Sequence, residues 1–190
     1  GDYDKAMKIY YDNLKQAERI GEKSDIAQSI HDMGIIYADK GDLDKSLDYL
    51  SRSLQLSEEL LNKTMMGKSL NHIGNIYWIK GELDTALNYF THSLEIFNEL
   101  DDKYGMGNLL NSIGMIYRCK GYLDKSLTYS NRSLAIMKEL GVKREMAYGL
   151  NNIGQIYFPK TDLDTPLIIY TSSLETAKDV GNKRDVAYSL

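Results

Sequence analysis

Three histidines and one cysteine are the side chains of this sequence best suited to bind a metal or to act in catalysis. Their spacing argues against both roles. His31, His72 and His92 lie far apart in the chain, with no His-x-x-x-His pair and no second cysteine. A protein zinc site draws its ligands from short, characteristic spacings. Cys119 has no recognisable base to activate it as a nucleophile, so we expect a buried or half-buried small residue there. We predict no enzyme activity, no metal site and no cofactor.

Carboxylate pairs are the other candidates for acid–base chemistry. Asp42 and Asp44 form one pair, and Glu82 and Asp84 form the next, forty residues later. Both pairs fall where a helix is predicted to begin. The positive end of the helix dipole favours carboxylates at such a position without any catalytic role. They are therefore predicted to be structural.

A forty-residue repeat positions all of these side chains. Residues 41–80 and 81–120 are identical at nineteen of forty positions without a gap, and the same frame covers the rest of the chain. In each repeat a glycine stands three residues before a tyrosine inside an apolar pattern of helical period. These glycines are Gly34, Gly74, Gly114 and Gly154. A glycine inside a helix costs about 1 kcal/mol relative to alanine, so we predict a close approach of a second helix at each.

A second set of glycines marks the helix ends. Gly41, Gly81 and Gly121 each follow a lysine, which is the arrangement of a helix C-terminus: a cation at the negative end of the dipole, then a residue free to adopt positive φ. The helix that ends there is termed helix A. The next, helix B, begins at the carboxylates that follow.

The sequence predicts an all-α protein with a single domain over residues 1–190. It comprises a helix B at 2–20, A/B pairs at 24–61, 64–100, 104–140 and 144–180, and the start of a further helix A at 184–190. Because the chain begins in mid-repeat, we expect a fragment of a longer protein whose uncapped ends self-associate.

The fourth A/B pair departs from the pattern. Pro159 is predicted to end its helix A early, near Tyr157, while Thr161 replaces the turn glycine and Pro166 stands in the first turn of helix B. We therefore expect this pair to be the least stable. Ordinary repeat drift and a functional hinge are both compatible with it.

Composition excludes several classes of protein. The net charge is −4 and no cluster of lysine or arginine occurs, which argues against a nucleic-acid partner. No apolar run approaches the ~20 residues needed to span a membrane. A single cysteine cannot form an internal disulfide, which suits a reducing compartment, so the cytoplasm is the predicted location.

The motif Leu70-x-x-Ile73-Gly74-x-x-Tyr77, followed by Ala86-x-x-x-Phe90, resembles the tetratricopeptide repeat. Other units are looser, with serine or proline replacing the small alanine, and the closing proline of the usual thirty-four-residue unit is missing. The forty-residue variant resembles the repeats of Pins-type spindle-orientation adaptors and of microbial sensor and regulator proteins. HEAT repeats share the period but not the Gly-x-x-Tyr motif, and they remain a minor structural alternative.

The resemblance implies a right-handed superhelix, an α-solenoid of antiparallel helix hairpins, whose A helices line a concave groove. Carried onto this sequence, it implies peptide-binding residues in three successive A helices. They are Lys68, Asn71, Asn75, Trp78, Asn108, Asn111, Met115, Arg118, Tyr148, Asn151, Gln155 and Phe158. Trp78 could instead belong to the core. His31 and His72 are expected to be solvated groove residues.

Asn71, Asn111 and Asn151 occupy one position in three successive repeats. A side-chain amide both donates and accepts hydrogen bonds, so these residues could form a ladder along the backbone of an extended peptide. Alternatively, the asparagines merely tolerate a solvated groove or bond to the neighbouring A helix.

Two functional hypotheses follow. The first is a non-catalytic scaffold that binds a partner protein through an extended peptide. Only Lys68 and Arg118 supply cations on the implied groove, so an internal segment is expected rather than a terminal carboxylate. The second hypothesis is a sensory or regulatory input module of a larger signalling protein, such as a kinase, a cyclase or a transcription regulator.

Overall fold

A computed structural model of the protein describes residues 2–157 and the helical residues 168, 169 and 171–173. Every regular element in this part of the chain is an α-helix, which confirms the all-α prediction. The helices are α1 (Asp2–Ile20), α2 (Lys23–Asp39), α3 (Leu43–Glu59), α4 (Lys63–Ile79), α5 (Leu83–Glu99), α6 (Lys103–Cys119), α7 (Leu123–Glu139) and α8 (Lys143–Tyr157). The even-numbered helices are A helices and the odd-numbered ones are B helices.

The turn from helix A to helix B is built around the predicted glycine. Gly41 has a φ of +81°, in the left-handed region that glycine adopts without a steric penalty. The Asp42 amide donates to the carbonyl of Tyr37 at 2.9 Å and so satisfies a carbonyl at the end of α2. The Asp42 side chain in turn accepts from the amide of Lys45, capping α3. This turn confirms the roles predicted for Gly41 and Asp42.

The turn from helix B to the next helix A also needs a residue with positive φ. Glycine fills that position at Gly21 and Gly141, whereas Leu61 and Asp101 adopt a φ of +53°. Asn62 and Asp102 then cap α4 and α6 by accepting the backbone amides of Met65 and Gly105. The sequence analysis identified neither these caps nor the positive φ of Leu61.

Serine side chains hold the two helices of each hairpin together. Ser46 Oγ of α3 donates to the carbonyl of Gly34 in α2 at 2.8 Å, and Ser53 Oγ donates to that of Ala27 at 2.9 Å. The pairing advances seven residues along α3 while it recedes seven along α2, so the helices are antiparallel. Gly107 and Gly114 of α6 accept in the same way from Ser133 and Ser126.

The glycines inside the A helices provide close approach, as predicted. A Cβ atom on Gly34 would lie 2.7 Å from Cγ of Leu50, and one on Gly114 would lie 2.7 Å from Oγ of Ser130. No alanine fits at such a distance without movement of the facing helix. The early end predicted for the fourth helix A at Pro159 and the further helix A predicted at 184–190 lie outside the described residues.

The chain divides into two compact units, with the boundary between Leu100 and Asp101. The first unit contains α1 to α5. Its central cluster is Leu50, Ile73 and Ile76, which are at most 2 % exposed. The second unit contains α6 to α8, with Leu110, Ile116 and Ile156 fully buried. Within the described part of the chain, none of the helices has the combined length and apolar character needed to cross a membrane.

Candidate functional site

The A helices of each unit carry the predicted binding residues on partly exposed surfaces. In the first unit, Lys68 is exposed, Asn71 and Asn75 are half-buried, and Trp78 is 37 % exposed. These four residues are called the α4 row. They are spaced three, four and three residues apart, which keeps them on one side of the helix. The exposure of Trp78 excludes the alternative that it is a core residue.

The second unit carries a larger set of predicted residues, called the α6–α8 surface. All of its members are half-buried: Asn108, Asn111, Met115, Arg118, Tyr148, Asn151 and Gln155. Phe158, the last predicted binding residue, lies outside the described residues. The set mixes amides, one cation and apolar side chains.

Two histidines pack against each other between α2 and α4 of the first unit. The ring centroids of His31 and His72 lie 4.9 Å apart with an interplanar angle of 77°, an edge-to-face contact. Burial lowers the pKa of His72 from 6.5 to about 4, and the neighbouring His31 acts in the same direction. His31 is only 3 % exposed. The expectation of a solvated groove histidine was therefore wrong for His31, which faces the neighbouring A helix, whereas His72 is half-buried.

Asparagines occupy the corresponding positions in the second unit. Asn152 of α8 donates from Nδ2 to Oδ1 of Asn111 in α6 at 2.7 Å, and Asn152 is only 8 % exposed. The two residues are forty-one positions apart, as are His31 and His72. Asn111 thus bonds to a neighbouring A helix, which was one of the alternatives for the asparagine ladder.

Two atoms of the α6–α8 surface are buried without a hydrogen-bond partner among the described residues. They are Nε of Arg118 and Oδ1 of Asn151. One is a donor and the other an acceptor. Each such atom costs free energy unless it is satisfied, so each marks a position where an additional polar group would be stabilised.

A polar cavity of about 280 Å³ opens between α1 and α2 of the first unit. Carboxylates of Asp25 and Asp32 line it together with the amide of Gln28 and the phenol of Tyr10. Gln28 also donates to Asp32 Oδ1 at 2.8 Å. No lysine or arginine is among the lining residues, so the cavity suits a hydrogen-bond donor or a cation rather than an anion.

Ion pairs join positions thirty-six residues apart within each unit. Lys80 at the end of α4 donates to Asp44 at the start of α3 at 3.0 Å, and Lys103 in the second unit donates to Glu139 at 2.6 Å. These hydrogen bonds raise the pKa of both lysines. Because the pairs are exposed, their role is to align neighbouring helices rather than to contribute much stability.

The family model for the tetratricopeptide repeat matches residues 1–60 and 65–139. The chain belongs to the tetratricopeptide repeat family. This confirms the resemblance drawn from the Gly-x-x-Tyr motif. The tetratricopeptide repeat is a protein-interaction module, and the arrangement of helix hairpins in both units agrees with it. No protein among the curated sequences matches the chain.

Solved structures share the tetratricopeptide fold at low sequence identity. Aspartyl phosphate phosphatase F from Bacillus subtilis is 14 % identical, with a TM-score of 0.87 over 97 % of this chain and 48 % of its own. A signal transduction ATPase with a tetratricopeptide repeat sensor from Pyrococcus horikoshii is 19 % identical, with a TM-score of 0.84 over 100 % of this chain and 29 % of its own.

A Rap protein complexed with competence and sporulation factor is 13 % identical, with a TM-score of 0.82 over 99 % of this chain and 58 % of its own. The chain therefore spans less than two thirds of each of these three proteins. At such identities the likeness shows the fold alone.

The residues considered for chemistry do not assemble into a reactive centre within the described part of this tetratricopeptide protein. No group of three or more histidine, cysteine, aspartate or glutamate side chains there could hold a metal ion. Cys119 is exposed, so the expectation that it would be buried or half-buried was wrong. It is the last residue of α6.

Sequence analysis missed one recurrent feature, a stack of two tyrosines in each of three hairpins. Tyr37 stacks on Tyr49 with ring centroids 5.2 Å apart, and equivalent pairs recur in the next two hairpins. The sequence does contain the pattern. In three repeats, a second tyrosine follows the tyrosine of the Gly-x-x-Tyr motif by twelve residues.

Proposed function

We propose that this tetratricopeptide repeat protein is a non-catalytic scaffold that binds an extended segment of a partner protein on the exposed surfaces of its A helices. In the first unit, the α4 row offers the amides of Asn71 and Asn75 beside the exposed indole of Trp78. An extended backbone presents donors and acceptors that amides can pair with. Tryptophan is enriched among the residues that dominate binding energy.

The observation that carries the proposal is the unsatisfied pair in the second unit. Arg118 Nε and Asn151 Oδ1 are buried without partners among the described residues. A small rotation of either side chain would let it bond a backbone carbonyl or amide of a bound segment. The free energy lost by burying an unpaired polar atom, ~1–3 kcal/mol, would then be regained on binding.

Asn111 has a more restricted role than Asn71 and Asn151. Its Oδ1 already accepts from Asn152, so one lone pair of this oxygen and its amide hydrogens remain to contact a partner. The ladder then consists of two amides, Asn71 and Asn151, and a third, Asn111, whose orientation is fixed by its bond to α8.

The charge of these surfaces favours an internal segment of the partner. Lys68 and Arg118 are the only cations among the eleven predicted binding residues that the structure describes. A terminal carboxylate is usually held by several cations acting together. Within each unit, only one of these described residues is a cation.

The experiment begins with peptides selected by display against the whole protein. The selected peptides are titrated against Asn71→Ala/Asn151→Ala, which avoids the structural bond of Asn111. Two lost hydrogen bonds are expected to weaken binding by ~30-fold. The matched control is Arg52→Ala/Arg132→Ala, which removes exposed side chains from the B helices α3 and α7. Peptides that bind the asparagine variant normally, but lose affinity for the arginine variant, would place the partner on the B helices and overturn the proposal.

Two further predictions belong to this function. The single cysteine, Cys119, is exposed and suits a reducing compartment, so a cytoplasmic location remains part of the proposal.

Self-association is a second prediction: α1 exposes 59 % of Ile9 and 64 % of Ile20. Sedimentation across a concentration series tests it, and a strict monomer at high micromolar concentration would contradict it.

A further inference from the structure

Each of the first three complete hairpins contains a tyrosine stack near its A-to-B turn. The centroid distances are 5.2 Å for Tyr37 and Tyr49, 5.4 Å for Tyr77 and Tyr89, and 5.3 Å for Tyr117 and Tyr129. One ring comes from the last turn of helix A and the other from the second turn of helix B. All six rings are half-buried.

Cations cover both rings in the hairpin formed by α2 and α3. Lys45 Nζ lies 5.4 Å from the centroid of Tyr37, and the guanidinium carbon of Arg52 lies 5.6 Å from that of Tyr49. The hairpin formed by α6 and α7 repeats the arrangement. Its stack is covered by Lys125 at 5.2 Å from Tyr117 and by Arg132 at 5.9 Å from Tyr129. Cations at these distances are attracted by the negative face of the ring.

The hairpin formed by α4 and α5 has the same stack without these cations. Thr85 stands at the position of the lysine, and His92 at that of the arginine. Among the described residues, no lysine or arginine lies over Tyr77 or Tyr89. The two rings are the most nearly parallel of the three pairs, with an interplanar angle of 8°. The stack is therefore formed, but within residues 2–157 no lysine or arginine covers it as in the other two hairpins.

The charge around this stack suits a positively charged group. Asp44 pairs with Lys80 at 3.0 Å, and Glu82 is close enough to help raise the pKa of that lysine. Two carboxylates thus accompany one ammonium next to Tyr77. Burial raises the pKa of Tyr89, so its hydroxyl remains protonated over a wider pH range.

We propose that the stack of Tyr77 and Tyr89 is a docking site for an arginine side chain in a basic segment of a partner protein. The guanidinium takes the place over Tyr77 that Lys45 occupies over Tyr37, where the cation also pairs with Asp42, the counterpart of Glu82. Arginine is preferred over lysine because its planar, weakly hydrated group stacks on aromatic faces. This site is independent of the A-helix surfaces proposed above to bind an extended backbone.

The test uses the whole protein with labelled tyrosine rings and a five-residue probe, acetyl-Gly-Gly-Arg-Gly-Gly-amide. A twin peptide with citrulline in place of arginine keeps the shape and loses the charge. We expect saturable shifts of the Tyr77 and Tyr89 resonances with the arginine peptide, at least about fivefold stronger in affinity than with the citrulline peptide. Equal response to both peptides, or no response at these two rings, would overturn the proposal.

Two variants make the test specific to the stack. Thr85→Lys/His92→Arg supplies the missing cations from within the protein and is expected to abolish the response. Lys45→Thr/Arg52→His replaces exposed residues, leaves the Asp42 carboxylate beside the stack, and is expected to create a second responsive pair at Tyr37 and Tyr49. Because the second variant gains a site, it decides the question even if the first fails to fold. The proposal would be refuted if the first variant still bound the arginine peptide, or if the second variant gained no binding at its newly uncovered tyrosine pair.

Discussion

The ring of Phe90 packs so closely against Gly74 that a Cβ atom on the glycine would lie 2.7 Å from both Cδ1 and Cε1 of the ring. Phe90 is 1 % exposed and has no room to move away. The helices α4 and α5 therefore approach closely at Gly74, which has no side chain to keep them apart. The cost of a glycine in a helix is offset here by the contact area that it permits.

Gly74→Ala is expected to destabilise the protein by about 1–3 kcal/mol. The added methyl group forces a shift of the buried ring, and this outweighs the ~1 kcal/mol gained in helix propensity. Urea unfolding followed by circular dichroism measures the difference.

Gly149 of α8 is the matched control. A Cβ there would lie 3.7 Å from Leu134, which is ordinary van der Waals contact. Gly149→Ala should therefore stabilise the protein by ~0.5–1 kcal/mol, since only the gain in helix propensity remains. Equal effects of the two substitutions would show that close approach does not explain the repeat glycine.

These packing contacts illustrate what a repeating sequence does and does not predict. The turn at Gly41 and the close approach at Gly34 depend on residues near in sequence, so the period was enough to identify them. The burial of His31 and the bond from Asn152 to Asn111 depend on the neighbouring A helix, forty-one residues away. His31 and Asn111 occupy the same position of the repeat, which borders both the groove and the neighbouring A helix. The period of the sequence does not indicate which of the two a side chain at this position contacts.

Leu61→Gly is expected to stabilise the protein by about 1 kcal/mol. Leu61 adopts a φ of +53° between α3 and α4 and is 83 % exposed. The left-handed conformation costs a residue with a Cβ roughly 1–2 kcal/mol, and little contact is lost with this side chain. The gain is partly offset by the greater freedom of glycine in the unfolded chain. Thermal unfolding measures it.

Asp101→Gly is the companion substitution at the equivalent turn, where φ is also +53°. Aspartate tolerates the left-handed region better than leucine does, so the gain should be smaller. A destabilised Leu61→Gly variant would mean that the exposed side chain makes a contact worth more than the backbone strain.

Stability should fall as the pH drops from 6.5 to about 4, because of His72. Its folded-state pKa is lowered from 6.5 to about 4 by burial, with a further contribution from His31. The unfolded state then binds more protons than the folded state in this window. Above pH 6.5 the imidazole of His72 is neutral in both states, so it does not reduce the free energy of unfolding. As the pH falls from 6.5 toward 4, the unfolded state takes up a proton that the folded state does not, and the free energy of unfolding decreases. The shift corresponds to about 3 kcal/mol at most.

Urea unfolding at several pH values tests this prediction, with His72→Asn as the control. Asparagine stands at the equivalent position in the second unit, as Asn152, so it is compatible with the contact between A helices. The variant should lose most of the dependence between pH 4 and 6.5. The negative charge of Asp32 and the positive charge of Lys68 act on His72 in opposite directions and remain in both proteins. An unchanged pH profile in the variant would assign the dependence to other groups.

The last prediction separates the structural role of Asn111 from that of Asn71. Asn111→Ala removes the acceptor of Asn152 Nδ2, and because Asn152 is only 8 % exposed, its amide is left with little access to water. An unsatisfied buried donor costs ~1–3 kcal/mol. Asn71 is half-buried and has no such bond among the described residues. Asn71→Ala should therefore lower the free energy of unfolding by less than ~0.5 kcal/mol. A double-mutant cycle with Asn152→Ala completes the test: removing both partners should cost less than the sum of the single substitutions, by about 1 kcal/mol. Additive losses would show that the bond between Asn111 and Asn152 contributes nothing to the packing of α6 against α8, and would return Asn111 to the set of residues free to bind a partner.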